Sequence, residues 1–461
     1  MTFPDVLRSN AFNGTDVAEG APADNARKWS LDNEPAKRAK SLAEDFDRPL
    51  DYRKWDDERV GWGVVAATPK GRNDQELADN ADLPESVRDL IAKRGNAPVF
   101  RYRHGWEREF RYLTNFRTNA DFEIAGGSFG VKGLPRYLMI LGGPDEVPWR
   151  VQFQLNARRY VGRVPLTGAD LDNYIQHLTC NWCESDMQLD RPVVWSTDHG
   201  YPDITQLMTE LIAKPVYKKY AANSKIGTKA MLLNSTSATR AGLTEALKTN
   251  RPGLIVSTSH GMIGPLGQPQ QLAAQLGALV DQNRQVLDSF QLLQSWQPNG
   301  AIWYAHACCS AGTNGAGRLT DLAKSDTSLS DTLNALAKVV PTMAPLPVRL
   351  LAAKEPARAF IGHVEPTFDI TLRDGKTGEL FTDSILDSLY QLLLQESPAG
   401  FAMHYLIEPL AGVYSSYMNT KGDFKATESE YADLLNYSLR GFDLEGTVLF
   451  GDPTVGLPKL A

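Results

Sequence analysis

Cysteine is scarce in this chain: Cys180, Cys183, Cys308 and Cys309 are the only four in 461 residues. Cys308 and Cys309 are adjacent, where a disulfide would be strained, and Cys180 and Cys183 fall in a helical-looking stretch. A disulfide framework is therefore not expected, and a reducing, cytoplasmic compartment is the simplest setting. Long apolar runs are missing too, and none approaches the roughly 18 residues of a membrane-spanning helix, so no membrane partner is expected. Met1 to Asn13 lack a basic stretch followed by an apolar core and do not read as a secretory signal. Nor is there an excess of positive charge. Lys and Arg number 48 against 55 Asp and Glu, a formal net charge of -7, which argues against a general nucleic-acid binder. Short internal repeats are absent. What remains is 42% hydrophobic and 22% charged, an ordinary globular composition in a chain long enough for several packed layers.

Residues 1–55 are polar and lack a sustained apolar period. They read as a loosely packed amino-terminal arm, with one helix near Pro35 to Phe46. Beyond them, short apolar runs alternate with amphipathic stretches. Gly61 to Ala66, Tyr137 to Leu141 and Tyr160 to Val164 read as strands, and Leu83 to Lys93 and Leu171 to Glu184 as helices. A second set of strands covers Val193 to Ser196, Ala230 to Leu233, Leu254 to Ser257, Ala301 to Ala305, Ala359 to Gly362 and Thr447 to Phe450. The helices of that set cover Ile204 to Ala213, Thr239 to Lys248, Phe381 to Gln395 and Ala399 to Tyr417. The fold class expected is α/β, with two mainly parallel sheet units flanked by helices. The units divide into an amino-terminal subdomain at 56–187 and a larger one at 188–461. The second contains a long connection at 312–356, with helical-looking Leu329 to Val339 and a Pro-rich run from Pro341 to Val348.

In an open parallel sheet, reactive residues collect past the carboxyl ends of the strands. Two apolar runs end that way here: Leu254 to Ser257 leads to His260-Gly261, and Ala301 to Ala305 leads to Ala307-Cys308-Cys309. A thiolate attacking a peptide carbonyl needs donors for the oxyanion, and the backbone N–H groups of Gly261 and Cys308 are the candidates. His260 would protonate the leaving amine and then activate the deacylating water. His-Gly also occurs at His104-Gly105 and His199-Gly200, but only His260 follows a four-residue apolar run and precedes the cysteine strand. Cys309 is read as a packing residue, and so are Cys180 and Cys183. His306 is given a structural role, and Asp145 and Asp452 are read as turn-fixing residues. No cofactor and no metal are expected.

These motifs resemble the clan CD cysteine peptidases, which include caspases, legumains, separases, CHAT-domain proteases and gingipains. The spacing, with a histidine about 50 residues upstream of the cysteine, is known from caspases. The gingipain-like family fits best, over roughly 130–457. Tyr137 to Pro148 resembles its strand-glycine-Asp-x-x-Pro segment, Val161-Gly162-Arg163-Val164-Pro165 its Gly-Arg strand, and Leu449 to Thr454 its Phe-Gly-Asp-Pro signature. The Ala-Cys pattern of the family puts the nucleophile at Cys308. The resemblance further implies a P1 pocket in which Asp203 binds arginine, or less readily lysine, with Phe368 as an aromatic wall; the alternative for Asp203 is an N-cap of the helix that begins at Ile204. It implies protein or peptide substrates, and a zymogen whose 312–356 linker is cut by an upstream protease or by itself at Arg318, Lys324, Lys338, Arg349 or Arg358. Its biological setting would be bacterial stress, defence or programmed death. The alternatives are a catalytically silent scaffold of the same fold and another acyl-transfer enzyme, a ligase or transpeptidase, using the same dyad.

Overall fold

The computed structural model describes residues 3–32, 50–126, 130, 133–315, 317–374, 377–422, 425 and 427–460. Apolar runs such as Leu254-Ile255-Val256 are buried on both faces, which suits central strands between helical layers. Among the described residues, twelve strands form one sheet. Their order is Met231–Asn234, Val193–Ser196, Leu254–Thr258, Ile302–His306, Ala359–His363, Thr447–Phe450, Tyr160–Val164, Tyr137–Leu141, Trp62–Ala67, Val99–Tyr102, Tyr112–Asn115 and Ala120–Glu123. All neighbours are parallel except where Thr447–Phe450 meets Ala359–His363, and in the last three strands.

The two sheet units expected from the sequence are therefore one sheet. Thr447–Phe450, buried at all four residues, joins the halves: it pairs antiparallel with Ala359–His363 and parallel with Tyr160–Val164. The three motifs that carry the family resemblance lie around this joint and support it. The Arg163 guanidinium is fully buried. It donates to Gly142 O at 2.9 Å, Val147 O at 2.8 Å and Gln152 Oε1 at 2.9 Å, so it clamps the loop after Tyr137–Leu141. A Cβ on Gly162 would stand 2.1 Å from Gly451 O, so only glycine lets these two strands approach. Asp452 accepts from Trp62 Nε1 at 3.0 Å and Arg94 Nη1 at 3.1 Å, tying the chain end to the other half of the sheet.

Two expectations about irregular segments are corrected. The described part of the amino-terminal arm at residues 3–32 is not loosely packed. Leu7–Phe12 and Val17–Gly20 form an antiparallel pair, and Ala26–Asp32 is a helix. Its Trp29 meets Phe442 edge-on, with centroids 5.6 Å apart. The residues of this arm read as polar because a single strand with two Ser/Asn positions shows no apolar period, yet Ser9 and Asn10 are both buried. The helix expected near Pro35 to Phe46 lies outside the described residues. The 312–356 connection is folded as well, as helices Ser328–Leu336 and Pro345–Leu351 and the short pair Gly312–Thr313 with Thr342–Met343. Of the basic sites proposed for cutting there, Arg358 is buried and Arg318 lies against Phe442 and Glu445.

The helix expected over Ala399 to Tyr417 is two, Ala399–Ile407 and Leu410–Gly422, because Pro409 has no N–H to continue the ladder. A 19-residue helix, Glu428–Gly446, went unread. It starts with a Thr427/Glu430 capping box and packs against Leu410–Gly422 and Ala26–Asp32. No helix among the described residues is long and apolar enough to cross a membrane.

Candidate active site

Leu254–Thr258 and Ile302–His306 are adjacent parallel strands, with Thr258 directly opposite His306. His260 and Cys308 each follow two residues later, so both emerge at the same carboxyl rim on strands about 4.8 Å apart. Gly261 closes the gap between them: its ideal Cβ would lie 1.9 Å from Cys308 O. The glycine is required by this backbone contact, a reason independent of the oxyanion role expected for its N–H. After Cys308 the chain turns sharply. Cys309 takes a left-handed φ of 53°, its N–H donates to Glu365 O at 3.0 Å, and Ser310 N donates to Ala307 O at 3.2 Å.

His260 is almost fully buried. Its Nε2 meets Asp203 Oδ2 at 3.1 Å, while Nδ1 is buried without a hydrogen-bond partner. The carboxylate selects the tautomer with the proton on Nε2, which leaves Nδ1 as the nitrogen able to exchange a proton with a reacting group. His199 stacks on the same ring, with centroids 5.7 Å apart and planes 13° apart. Burial, together with the neighbouring imidazole, holds the His199 ring below the usual histidine range.

Asp203 caps the helix Ile204–Met208. Its Oδ1 accepts from Thr205 N at 2.8 Å and from Thr205 Oγ1 at 2.6 Å, and Oδ2 is on His260. Both oxygens are thus engaged, and the residue expected to bind a P1 arginine is placed as the partner of the histidine. Burial pushes its carboxyl upward, but the hydrogen bond and charge of His260 outweigh that and hold it well below the usual range. A depressed folded value means stability that is present above the ordinary carboxylate value and lost as pH falls toward the lower one. Asp203→Asn should therefore lower the melting temperature most at pH 5–7, with the difference from wild type shrinking below about pH 4.

The Cys308 sulfur faces away from solvent into a small polar ring. Thr367 N donates to Sγ at 3.2 Å, Ser9 Oγ lies 3.3 Å away, and Thr367 O is at 3.6 Å. Burial pushes the thiol up to about 12, with the hydrogen bonds from Ser9 and Thr367 pulling the other way. At neutral pH the sulfur is accordingly a thiol in this arrangement. Among the described residues no hydrogen bond joins Sγ to His260. Phe368 is buried in the same apolar cluster as Cys308, and its backbone bridges Ser9. Cys309 is buried, and burial pushes its thiol far above the ordinary range.

Several neighbours left no mark in the sequence. Glu365 holds a φ of 87° next to the turn after Cys308 and accepts from Asn314 N at 2.7 Å. Burial pushes its carboxyl up. Behind the cysteine strand, His306 Nδ1 pairs with the Tyr304 hydroxyl at 3.0 Å and His363 Nδ1 with Asp443 Oδ1 at 2.9 Å. Burial depresses His306 to about 3, so it stays neutral and serves as back-wall structure. His104 is exposed, beyond the strand Val99–Tyr102 on the far part of the sheet. Cys180 and Cys183 are exposed at the end of Gly168–Thr179, contrary to the expected packing role, with Cys180 Sγ 3.6 Å from His177 O and accepting from Cys183 N at 3.5 Å. Asp145 and Asp452 sit in turns, Asp452 with Thr454 N on Oδ1 at 2.8 Å. Among the described residues no group of three or more His, Cys, Asp or Glu is arranged to hold a metal ion.

No protein-family model matches the chain, and no curated protein matches it.

Proposed function

We propose that the protein is a cysteine endopeptidase in which Cys308 is the nucleophile, His260 the acid and base, and Asp203 the carboxylate that orients His260. The observation that carries this reading is the register of the two central strands, which brings His260 and Cys308 to adjacent places on one rim with Gly261 packed on the cysteine backbone. The unpartnered Nδ1 of His260 and the Asp203 pairing at Nε2 supply the proton-transfer half of the chemistry. The oxyanion donors proposed are the N–H groups of Gly261 and Cys308. Likeness to the gingipain-like peptidases supports the same reading through the motifs alone. A preference for arginine at P1 rests on that likeness only, since Asp203 already has both oxygens engaged.

The test is a set of fluorogenic peptides with Arg, Lys, Asp or Asn at P1, given to protein whose site has been opened, with and without Asp203→Asn. At least one peptide should be cut. The substitution should lower kcat about 10–100-fold with KM little changed, as loss of an orienting partner does. A silent scaffold is the second reading, favoured by the near-complete burial of both Cys308 and His260. It gains if no peptide is cut once the site is opened.

A further inference from the structure

Leu7–Phe12 runs through the space in front of Cys308. One edge pairs in parallel with the chain that follows the histidine: Ala11 is opposite Gly261, Phe12 is opposite Met262, and Ile263 N donates to Phe12 O at 2.7 Å. The same edge, earlier along the strand, meets the chain that flanks the cysteine, while Val17–Gly20 takes the opposite edge. Ser9 bridges Phe368 in antiparallel fashion, and Asn10 N donates to Thr367 O at 3.0 Å. Side chains complete the seat. Ser9 Oγ lies 3.3 Å from Cys308 Sγ, and Asn10 Nδ2 donates to His306 O at 3.3 Å. Ser9, Asn10, Ala11 and Cys308 are all 0% exposed, so no substrate reaches the sulfur while the strand is in place.

An extended segment lying along open backbone edges, with alternate side chains in pockets, is how a sheet captures a peptide. The changeover from Thr367 to Gly261 falls between Asn10 and Ala11, beside Cys308 and His260. Leu7 to Asn10 thus occupy the path of the residues before a scissile bond, and Ala11 and Phe12 the path after it. The strand's hydrogen bond to Sγ comes from the Ser9 hydroxyl, 3.3 Å away.

We infer that Leu7–Phe12 is a built-in occupant of the peptide cleft, closing Cys308 until the strand is displaced. This inference rests on the peptidase reading for its purpose but not for its geometry. The strand is held by its hairpin partner, Val17–Gly20, which is docked on the helix Ser328–Leu336: Ser328 Oγ donates to Glu19 O at 2.8 Å and accepts from Glu19 N at 3.0 Å. The ion pairs of Arg8 with Glu19 and Asp369 are long and partly exposed, so backbone pairing and apolar burial hold the strand more than charge does. The 312–356 segment expected to be a cleavable linker is instead the bed of this hairpin. The exposed bend through Gly14, Thr15 and Asp16 is the accessible place at which a cut would free the strand.

Alkylation of the full chain by iodoacetamide, mapped by mass spectrometry, tests this, with the exposed Cys180 and Cys183 as internal references. In the wild type, Cys308 should react at least ~100-fold more slowly than Cys180. Ala11→Arg, which has no room in the slot, should speed Cys308 alkylation at least ~10-fold with the fold retained by circular dichroism. Should Ala11→Arg not fold, a variant with a specific protease site in the 13–16 bend, cut when folded and freed of its first residues, should show the same gain. Cys308 reacting as fast as Cys180 in the wild type overturns the inference. So does a Cys308 that stays closed in folded protein from which the strand has been removed. Peptide hydrolysis is read in the same samples: an opened Cys308 without hydrolysis sustains the strand's role and sinks the peptidase reading instead.

Discussion

Replacing Cys308 with alanine is expected to lower peptide hydrolysis at least ~10⁴-fold, the scale lost when a covalent nucleophile is removed from its dyad. Cys309→Ala should keep its rate within about tenfold of wild type. The contrast follows from where the two sulfurs sit. The Cys308 thiol faces the slot between Gly261–Met262 and Thr367–Phe368, where an extended chain already lies. Cys309 is turned away by its left-handed φ, with Glu365 as its backbone partner. Both assays use protein carrying Ala11→Arg, so that the resident strand does not mask the difference. Circular dichroism should show the fold unchanged in both variants. Equal loss in the two variants would remove Cys308 from its assigned role.

The second large effect belongs to Gly261. In Gly261→Ala the new methyl would stand 1.9 Å from Cys308 O, 2.8 Å from its carbonyl carbon and 3.0 Å from its nitrogen. All three are backbone atoms of Cys308, so no side chain can swing aside to make room. The strands must part at the rim where His260 and Cys308 meet. Overpacking of this kind costs about 1–3 kcal/mol, and it displaces the atoms on which chemistry depends. The expected result is a melting temperature lower by several degrees, read by calorimetry, and hydrolysis reduced at least ~100-fold. A variant with wild-type rate and stability would contradict the close packing of this rim.

The central strands were legible because their signal is strong and local. Val193-Val194-Trp195 and Leu254-Ile255-Val256 are apolar on both faces, which only interior strands or buried helices tolerate, and their length favours strands. His260 and Cys308 could be singled out because each follows such a run. The pairing order was not legible. Whether Thr447–Phe450 closes one unit or joins two depends on edges contributed by Ala359–His363 and Tyr160–Val164, far away in the chain. The covering strand was also missed. Leu-Arg-Ser-Asn-Ala-Phe has two polar residues at its centre, and these are buried only because Thr367, His306 and Cys308 provide partners. Asp203 stood out as a specificity residue or a helix cap; the cap is present, and its contact with His260 left no mark in the sequence. An aspartate before a helix can cap that helix, meet a ligand or orient a histidine, and only the 3.1 Å contact with Nε2 distinguishes the last.

The account depends most on His260 activating Cys308, and covalent labelling reads this directly. Protein carrying Ala11→Arg is treated with a peptidyl chloromethyl ketone, alone and with His260→Ala added, and the modified residue is located by mass spectrometry. The result expected is a label on Cys308 that forms at least ~100-fold more slowly without His260, while iodoacetamide still reaches the sulfur. Labelling confined to Cys180 and Cys183, or a Cys308 rate indifferent to His260, would contradict it.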